Sequence, residues 1–542
     1  MFRRARSFLL VFLSAALLVL PYHIGACWPL AFFAFVPYFF SLGNRPPLGV
    51  FTHSFLFGSL FYIFLGYWLT HVSVLGFALM TLYLALYFGV FGHYAAGFLN
   101  PSVEFAGALF PKNMKSVFFT ASVWALLEYL RGWLIGGIPW ALLAYTQWKN
   151  IPFIQIADLV GPYGVSFFVM AVNVLVFKIL KALLAKTRAA AALPEEAAYS
   201  RRYVSRLFWV LAGLIFALGA YGWANLSLRD SFDRKDPDRK SVLRVSVVQG
   251  NIPQDQKWNA QIKDIIFEKY KRLTFMSAVE KSDLIVWPET SFPGYLEDEP
   301  VMAAELRSVI RQSQTWVLVG APTLGDLDRG LKFFNSAILY NPVGEEVRRY
   351  SKLHLVPFGE YVPFEPLFGF IRHFVEIGRF SPGAERTIFQ ISSRYRKNKV
   401  TVKFGALICY EDIFPGLVRG FCRDGADFLV NITNDAWFGK TAAPYQHAQA
   451  SVFRAVENRV NVVRATNTGL SCFISPEGRI LATVNDKGSE IFVTGHQGHD
   501  LALKKDRTFY TRFGDVFLLV PALLAFLAFR ERSRQNAYVK AD

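Results

Sequence analysis

Apolar runs long enough to cross a bilayer crowd residues 7–228 of this 542-residue chain and return once at 513–529. A helix needs roughly 20 apolar residues to span the hydrocarbon core, so no other feature narrows the fold as far. Good candidates are Leu48–Val72, Leu75–Leu99, Ser116–Leu134, Tyr163–Leu184, Leu207–Leu226 and Phe513–Phe529. Two shorter ones, Ser7–Tyr22 and Cys27–Leu42, fill the first 42 residues and are parted near Pro21 to Ala26. The expectation is an α-helical membrane bundle of about eight spans. With 53 Phe and only 18% charged residues, a disordered, collagen-like or coiled-coil chain is excluded. Four cysteines in this length do not make a disulfide framework.

The formal charge of +17 suggests either nucleic acid or an anionic membrane surface. Its distribution decides. With the N-terminus inside and eight alternating spans, the inside segments carry Arg3, Arg4, Arg6, Arg45, Lys112, Lys115, Lys186, Arg188, Arg201, Arg202, Arg206, Arg530, Arg532, Arg534 and Lys540, against Lys149 alone in the short outside loops. This is the positive-inside asymmetry. It places residues 227–512 outside the cytoplasm, makes the basic surplus a topology signal, and leaves nucleic-acid binding unexpected. The start, with three arginines, an apolar stretch and Ile24-Gly25-Ala26-Cys27, looks like a lipoprotein signal peptide. A cleaved peptide hands over to a polar mature chain, whereas Trp28-Pro29-Leu30 and further spans follow here, so the segment is expected to be retained.

Between the spans, strand-like and helix-like patterns alternate. A charged linker (229–241) precedes a strand at Leu243–Val248, a polar helix near Gln261–Val279 and the buried strand ending in Trp287-Pro288-Glu289. A helix near Val301–Gln312 and strands at Trp316–Ala321 and Asn335–Tyr340 come next. Then follow strands at Val402–Cys409 and Phe428–Ile432, a helix near Pro444–Asn458, and short strands at Asn461–Thr466, Ser471–Ser475 and Arg479–Val484. Such alternation implies an α/β domain with helices covering its sheet. The expected division is a membrane domain (1–228), the linker, a catalytic domain (242–497), a connector (498–512), the last span (513–529) and an inside tail (530–542).

Three segments place a reactive side chain just past an expected buried strand, where open α/β sheets build their sites. They end in Glu289, in Lys352 to Glu360 (Lys-Leu-His-Leu-Val-Pro-Phe-Gly-Glu), and in Cys409-Tyr410-Glu411-Asp412. Together a thiol, a carboxylate and an ammonium form an acyl-transfer set. Cys409 can attack a carbonyl as thiolate, Glu289 can take the thiol proton and later an amine proton, and Lys352 can stabilise the oxyanion. Taken singly, Cys409 is a small buried hydrophobe, Glu289 a helix-cap acceptor and Lys352 a surface charge. Their joint occurrence in Pro- or Gly-marked turns argues against coincidence.

This trio resembles the Glu-Lys-Cys site of the nitrilase (carbon–nitrogen hydrolase) superfamily. Within it, Gln249-Gly-Asn-Ile-Pro-Gln254, Asn434-Asp-Ala-Trp-Phe-Gly439, and Trp124-Ala-Leu-Leu-Glu128-Tyr-Leu-Arg131 followed by Gly137-Ile-Pro-Trp140 resemble the apolipoprotein N-acyltransferase family over essentially the whole chain. The resemblance implies an αββα sandwich on the membrane, with Glu289 as general base, Lys352 as oxyanion stabiliser and Cys409 as thioester-forming nucleophile. It further implies that Glu360 orients the site, that Tyr410 and Glu411 are needed for activity, and that Trp258 and Trp437 line or gate an acyl pocket. The reaction implied is ping-pong. A phospholipid, usually phosphatidylethanolamine, donates an acyl chain, and the N-terminal amine of an S-diacylglyceryl apolipoprotein accepts it. It also implies a bacterial inner membrane, a periplasmic catalytic domain, no cofactor and a monomer.

Other stretches carry weaker signals. Val362–Phe380 holds six Phe without core periodicity and suggests a lid dipping into the bilayer interface; Phe368→Ser with Phe370→Ser should then impair use of membrane-embedded substrate. Glu128 and Arg131 lie three apart within a span and share a helix face, which suggests a structural ion pair. Trp140, just outside that span, is a candidate for lipid contact. His496-Gln-Gly-His499-Asp500 has metal-ligand types but no third partner, so no metal is expected. A Cys422–Cys472 disulfide stays open at this level. A membrane-tethered amidase with the same site, and a non-enzymatic lipid-binding or transport protein, are the alternatives; the second expects Cys409→Ala to be silent.

Overall fold

In the computed structural model, residues 2–43, 45–99, 114–188, 194–235, 241–325, 331–362, 365–369, 378–393, 400–503 and 507–541 are described. Lys112, the end of the expected linker (236–240) and most of the Val362–Phe380 stretch lie outside them. The chain divides into a helical unit (residues 1–70, 74–228 and 513–542) and an α/β unit (71–73 and 229–512).

Among the described residues of the helical unit, five helices are long and apolar enough to cross a membrane. They are Ala5–His23, Pro47–His71, Val74–Leu99, Ala157–Leu184 and Arg202–Arg229. The other three expected spans take different forms, each for a local reason. Gly25–Ser41 is broken, because Pro29 sits in a 3-10 segment that ends before a short α-helix at Val36–Ser41. The backbone groups freed by that break are satisfied internally, as they must be in lipid: Asn173 accepts from Phe35 N–H at 2.9 Å and donates to the Ala31 carbonyl at 2.8 Å. The helix Lys115–Arg131 stops at 17 residues and carries Glu128 and Arg131 in its last turns. The C-terminal segment turns at Gly514 before its helix, Leu519–Ala541, begins. At the other end, the helix Pro194–Lys235 runs through the charged residues 229–235, which were expected to open a linker; Arg, Asp and Lys tolerate helix well enough to extend an apolar span into water.

The bundle packs through aromatic and small residues. Phe35 meets Phe57, Phe88, Phe91 and Trp124 ring to ring, with centroids 4.9–6.5 Å apart. A Cβ on Gly58 would stand 2.8 Å from Phe88, so glycine sets how closely the helices Pro47–His71 and Val74–Leu99 approach. Glu128 and Arg131 are both buried and attract each other by charge, but their hydrogen bonds go to different partners. Glu128 accepts from Leu143 N–H at 2.7 Å, while Arg131 donates to the Tyr62 hydroxyl. Trp140 packs on Trp68 in this unit, with centroids 5.3 Å apart.

The α/β unit contains twelve strands: β1 (Ser241–Gln249), β2 (Leu284–Val286), β3 (Trp316–Leu324), β4 (Phe333–Tyr340), β5 (Glu346–Ser351), β6 (Ile388–Ser393), β7 (Val400–Ile408), β8 (Phe428–Thr433), β9 (Asn461–Thr466), β10 (Cys472–Ile474), β11 (Ile480–Thr483) and β12 (Gly495–Leu503). They form two six-stranded sheets, ordered β12-β1-β2-β3-β4-β5 and β11-β10-β9-β8-β7-β6. The sheets face each other, β1 against β9 and β4 against β7. Helices Lys263–Val279 and Pro300–Ser313 cover the first sheet, where Phe267, Tyr270, Leu306 and Ile310 pack on Ile285, Trp287 and Val319. Helices Pro415–Arg423 and Ala443–Asn458 lie against the second sheet, on β7 and β9 respectively. The result is an αββα sandwich whose inner strands β2, β3, β8 and β9 are nearly continuous apolar runs, as strands buried on both faces must be.

The stretch from His496 to Asp500, where the catalytic domain was expected to give way to a connector, instead lies in β12, which pairs antiparallel with β1 from Ser241↔Leu503 to Gln249↔Gly495. Its polar groups are paired: His496 with Glu280, at the end of the Lys263–Val279 helix, at 3.0 Å, and Asp500 with Arg244 across the strand pair at 2.9 Å. Cys422 and Cys472 are buried and free, and Cys27 and Cys409 are free and partly buried.

Candidate active site

Three turns carry the reactive groups, each leaving the end of a strand. Glu289 follows β2 and Trp287-Pro288, anchored by Trp287, which is fully buried, stacks on Tyr270 at 5.0 Å and donates to Thr274 at 2.9 Å. Lys352 follows β5, which is not the buried apolar strand expected but a sheet edge whose first three residues are exposed. Cys409 follows β7 at φ +56°, in the left-handed region that non-glycine residues rarely occupy. That turn lifts the thiol off the sheet end, and Asn431 on β8 holds it by donating to the Cys409 carbonyl at 2.8 Å.

Glu289 is 6% exposed, yet both carboxylate oxygens are occupied. Oε1 accepts from Asn335 Nδ2 at 2.7 Å, and Oε2 accepts from the Asn434 N–H at 2.8 Å. Lys352, 1% exposed, holds Glu360 at 2.9 Å (Oε1) and 2.8 Å (Oε2) and stands 3.6 Å from Glu289 Oε1. Asn335 also donates to Glu360 at 3.1 Å, so one amide bridges both carboxylates. Burial works against the Lys352 charge, but Glu360, Cys409 and Glu289 hold its pKa well above the ordinary value. The site thus favours the charged ammonium. Burial, with Glu289 adding to it, pushes the Cys409 thiol strongly up, against the pull of Lys352 and a hydrogen bond with Thr433. The resting group is therefore a thiol that needs a base to ionise.

Tyr410 and Glu411 brace this arrangement. Tyr410 donates to the Leu355 carbonyl at 2.6 Å and presents its ring 5.6 Å from Lys352 Nζ. Glu411, fully buried, accepts from Leu353 N–H (2.7 Å), His354 N–H (3.0 Å) and Ile408 N–H (2.7 Å), and from the Tyr350 hydroxyl at 2.9 and 3.0 Å. One side chain therefore ties the lysine-bearing turn to the cysteine-bearing turn. Burial pushes its pKa up to about 7, against those N–H donors.

The motifs 249–254 and 434–439 meet as well. Asn467 donates to the Ile252 carbonyl (2.8 Å) and to Asn434 Oδ1 (2.9 Å), and Asn434 donates to Gln254 at 2.8 Å. Behind Thr433 lies a buried charged group. His447 bonds Asp412 at 2.8 Å and Asp435 at 3.1 Å, and Arg464 bonds Asp412 at 2.7 Å. Trp258 and Trp437 are half exposed on this unit, at 51% and 50%. Asn335, Lys257, Thr433 and Asn434 were not singled out by sequence. Asn335 had a signal, a polar residue in an otherwise apolar strand, while Lys257 in the polar run Gln254-Asp-Gln-Lys257 had none. Among the described residues no group of three His, Cys, Asp or Glu is gathered for a metal.

A two-sheet sandwich with Cys, Glu and Lys at its strand ends defines a nitrilase-type α/β domain, and residues 244–499 match the Carbon-nitrogen hydrolase family. Residues 14–175 match the family described as Apolipoprotein N-acyltransferase N-terminal domain. The chain is 36% identical to the apolipoprotein N-acyltransferase of Geobacter metallireducens over 97% of its own length and 96% of that protein's. It is 31% identical to that of Pasteurella multocida, covering 88% and 85%. A crystal structure of an amidase from Nesterenkonia sp. aligns over 50% of this chain and 92% of its own, at 19% identity and a TM-score of 0.36. The chain belongs to the apolipoprotein N-acyltransferase family, and it is an acyltransferase.

Proposed function

We propose that this enzyme moves an acyl chain from a phospholipid, with phosphatidylethanolamine the favoured donor, to the N-terminal amine of the S-diacylglyceryl-cysteine of apolipoproteins. Glu289 takes the Cys409 proton, and the thiolate attacks the ester carbonyl. Lys352, held by Glu360, neutralises the oxyanion of the tetrahedral intermediate. Collapse expels the lysophospholipid alkoxide, which takes its proton back from Glu289, and leaves a thioester on Cys409. The acceptor amine then attacks the thioester, Glu289 removes its proton, and collapse releases the amide and returns the proton to sulfur. Trp258 and Trp437 are assigned to the acyl pocket, and Trp140 to contact with lipid head groups or acyl chains.

The observation that carries this reading is the buried Glu289–Lys352–Glu360 cluster beside a thiol raised on a left-handed turn, in a chain whose other half consists of apolar helices. Both substrates are bilayer lipids, which is the reason for a membrane bundle that a soluble amidase does not need. The positive-inside asymmetry supports eight spans in a bacterial inner membrane, with Gly25–Ser41, Lys115–Arg131 and the C-terminal segment as the shorter three, and a periplasmic catalytic domain. The protein is taken to work as a monomer.

Mass spectrometry of the purified protein incubated with phosphatidylethanolamine, beside Cys409→Ala, tests the reading. The expected result is an acyl adduct on Cys409 that disappears as an added diacylglyceryl lipopeptide gains one chain. An adduct lost only to water would mean a hydrolase, and no adduct on folded protein would overturn acyl transfer altogether.

A further inference from the structure

Among the buried cations that the mechanism above does not use, Lys257 bonds the turn that carries the general base. Lys257 lies between β1 and the Lys263–Val279 helix, is 5% exposed, and sends its ammonium to the Glu289 carbonyl oxygen at 3.1 Å and to the Thr290 hydroxyl. Those two residues make the turn on which the carboxylate stands. Thr290 has φ +44°. A β-branched side chain in the left-handed region is strained by about 1–3 kcal/mol and persists only where its surroundings hold it there. Lys257 supplies two such restraints from a separate loop. The charges also matter. Glu289 is a buried carboxylate and Glu360 a partly buried one, and the single ammonium of Lys352 serves both.

We propose that Lys257 is a positioning residue for the general base, its ammonium fixing the Glu289–Thr290 turn and serving as the second cation that lets Cys409 ionise beside two carboxylates. This rests on the roles given above to Glu289 and Cys409. The groups facing the ammonium are Glu289, Thr290 and Cys409, with Lys352 and Glu360 beyond Glu289. Burial lowers the Lys257 pKa to about 8, with Glu289 and Cys409 pulling it back. The ammonium is therefore charged at neutral pH and largely discharged a pH unit above that value.

The test is the rate at which iodoacetamide alkylates Cys409 in the full chain in detergent, followed by peptide mass spectrometry across the pH range. A neighbouring charge moves a thiol pKa by about one unit or more, a factor of about ten in thiolate. Lys257→Met should therefore slow alkylation about tenfold near pH 7. Near pH 9, where the wild-type amine is itself uncharged, the gap should shrink below about threefold. Lys257→Arg should restore most of the neutral-pH rate. Thr290→Val, nearly isosteric in the same turn, should slow the reaction about twofold to threefold near pH 7 by removing one acceptor. A Lys257→Met profile parallel to wild type, slowed equally at both pH values, would mean a mere prop and overturn the proposal. So would wild-type rates in Thr290→Val, which decides the matter if Lys257→Met does not fold. Failure of the acyl-transfer reading would appear in the wild type, as a missing acyl adduct; failure of this inference appears only in the variants.

Discussion

Asn335 carries more of the site than its neutral side chain suggests. One amide nitrogen donates to both Glu289 and Glu360, and its backbone carbonyl accepts from Lys352 N–H at 2.9 Å. A hydrogen bond to a charged group contributes about 1.5–3 kcal/mol, so Asn335→Ala should lower kcat/KM roughly tenfold to a hundredfold or more while leaving the fold intact. Wild-type kinetics in that variant would refute the bridge. Glu411 gives a second residue-level expectation. Its folded pKa is raised from 4.5 to about 7, so the native state keeps a proton that the unfolded chain has lost. Its contribution to stability is then greatest below pH 4.5 and falls as pH rises through that window. Thermal unfolding at pH 5 and pH 8 should show a smaller difference for Glu411→Gln than for wild type. At this scale Glu289, Lys352 and Cys409 were readable because each ends a marked motif. Asn335 and Lys257 were not, and Asn434 only as part of the motif 434–439, because their importance comes from partners up to 180 positions away in the chain.

Elements place these residues to within a bond length through close backbone approach. Gly320 in β3 lies under the Glu289 turn, and a Cβ there would stand 2.1 Å from the Pro288 carbonyl oxygen and 2.8 Å from Glu289 Cα. Neither backbone atom can yield without moving the carboxylate. Gly320→Ala should therefore cut acyl transfer by more than about tenfold, since small misplacements of catalytic groups are expensive in rate, and near-normal activity would show that the turn can shift freely. Sequence reading found the central strands because burial on both faces demands unbroken apolar runs. β6 and β12, two of the four sheet edges, gave no such run, and β5, expected as a buried strand, is a third edge. Edge strands carry charged and polar residues toward solvent, as Glu346-Val-Arg-Arg and Gly495-His-Gln-Gly-His-Asp do. In the bundle the same kind of difficulty appears at Gly25–Ser41, where composition signalled a span and Pro29 with Asn173 determined its broken form.

For the whole molecule, the inside-outside charge asymmetry makes a direct prediction. In a Cys409→Ala background, a membrane-impermeant maleimide should label Asp298→Cys in intact spheroplasts and Gly43→Cys only after permeabilisation; the reverse pattern would invert the topology. Membrane helices and an α/β domain were both legible from sequence, but the antiparallel closure of β12 onto β1 was not, because the polar pattern of β12 gives no sign of its distant partner. That closure has a further consequence. Ser241 and Leu503 are register partners, which sets their Cα atoms about 5 Å apart. The catalytic domain thus enters and leaves through one doorway, like a loop grown to the size of an enzyme. Neighbouring ends of this kind are what lets a domain tolerate insertion into a longer chain or circular permutation.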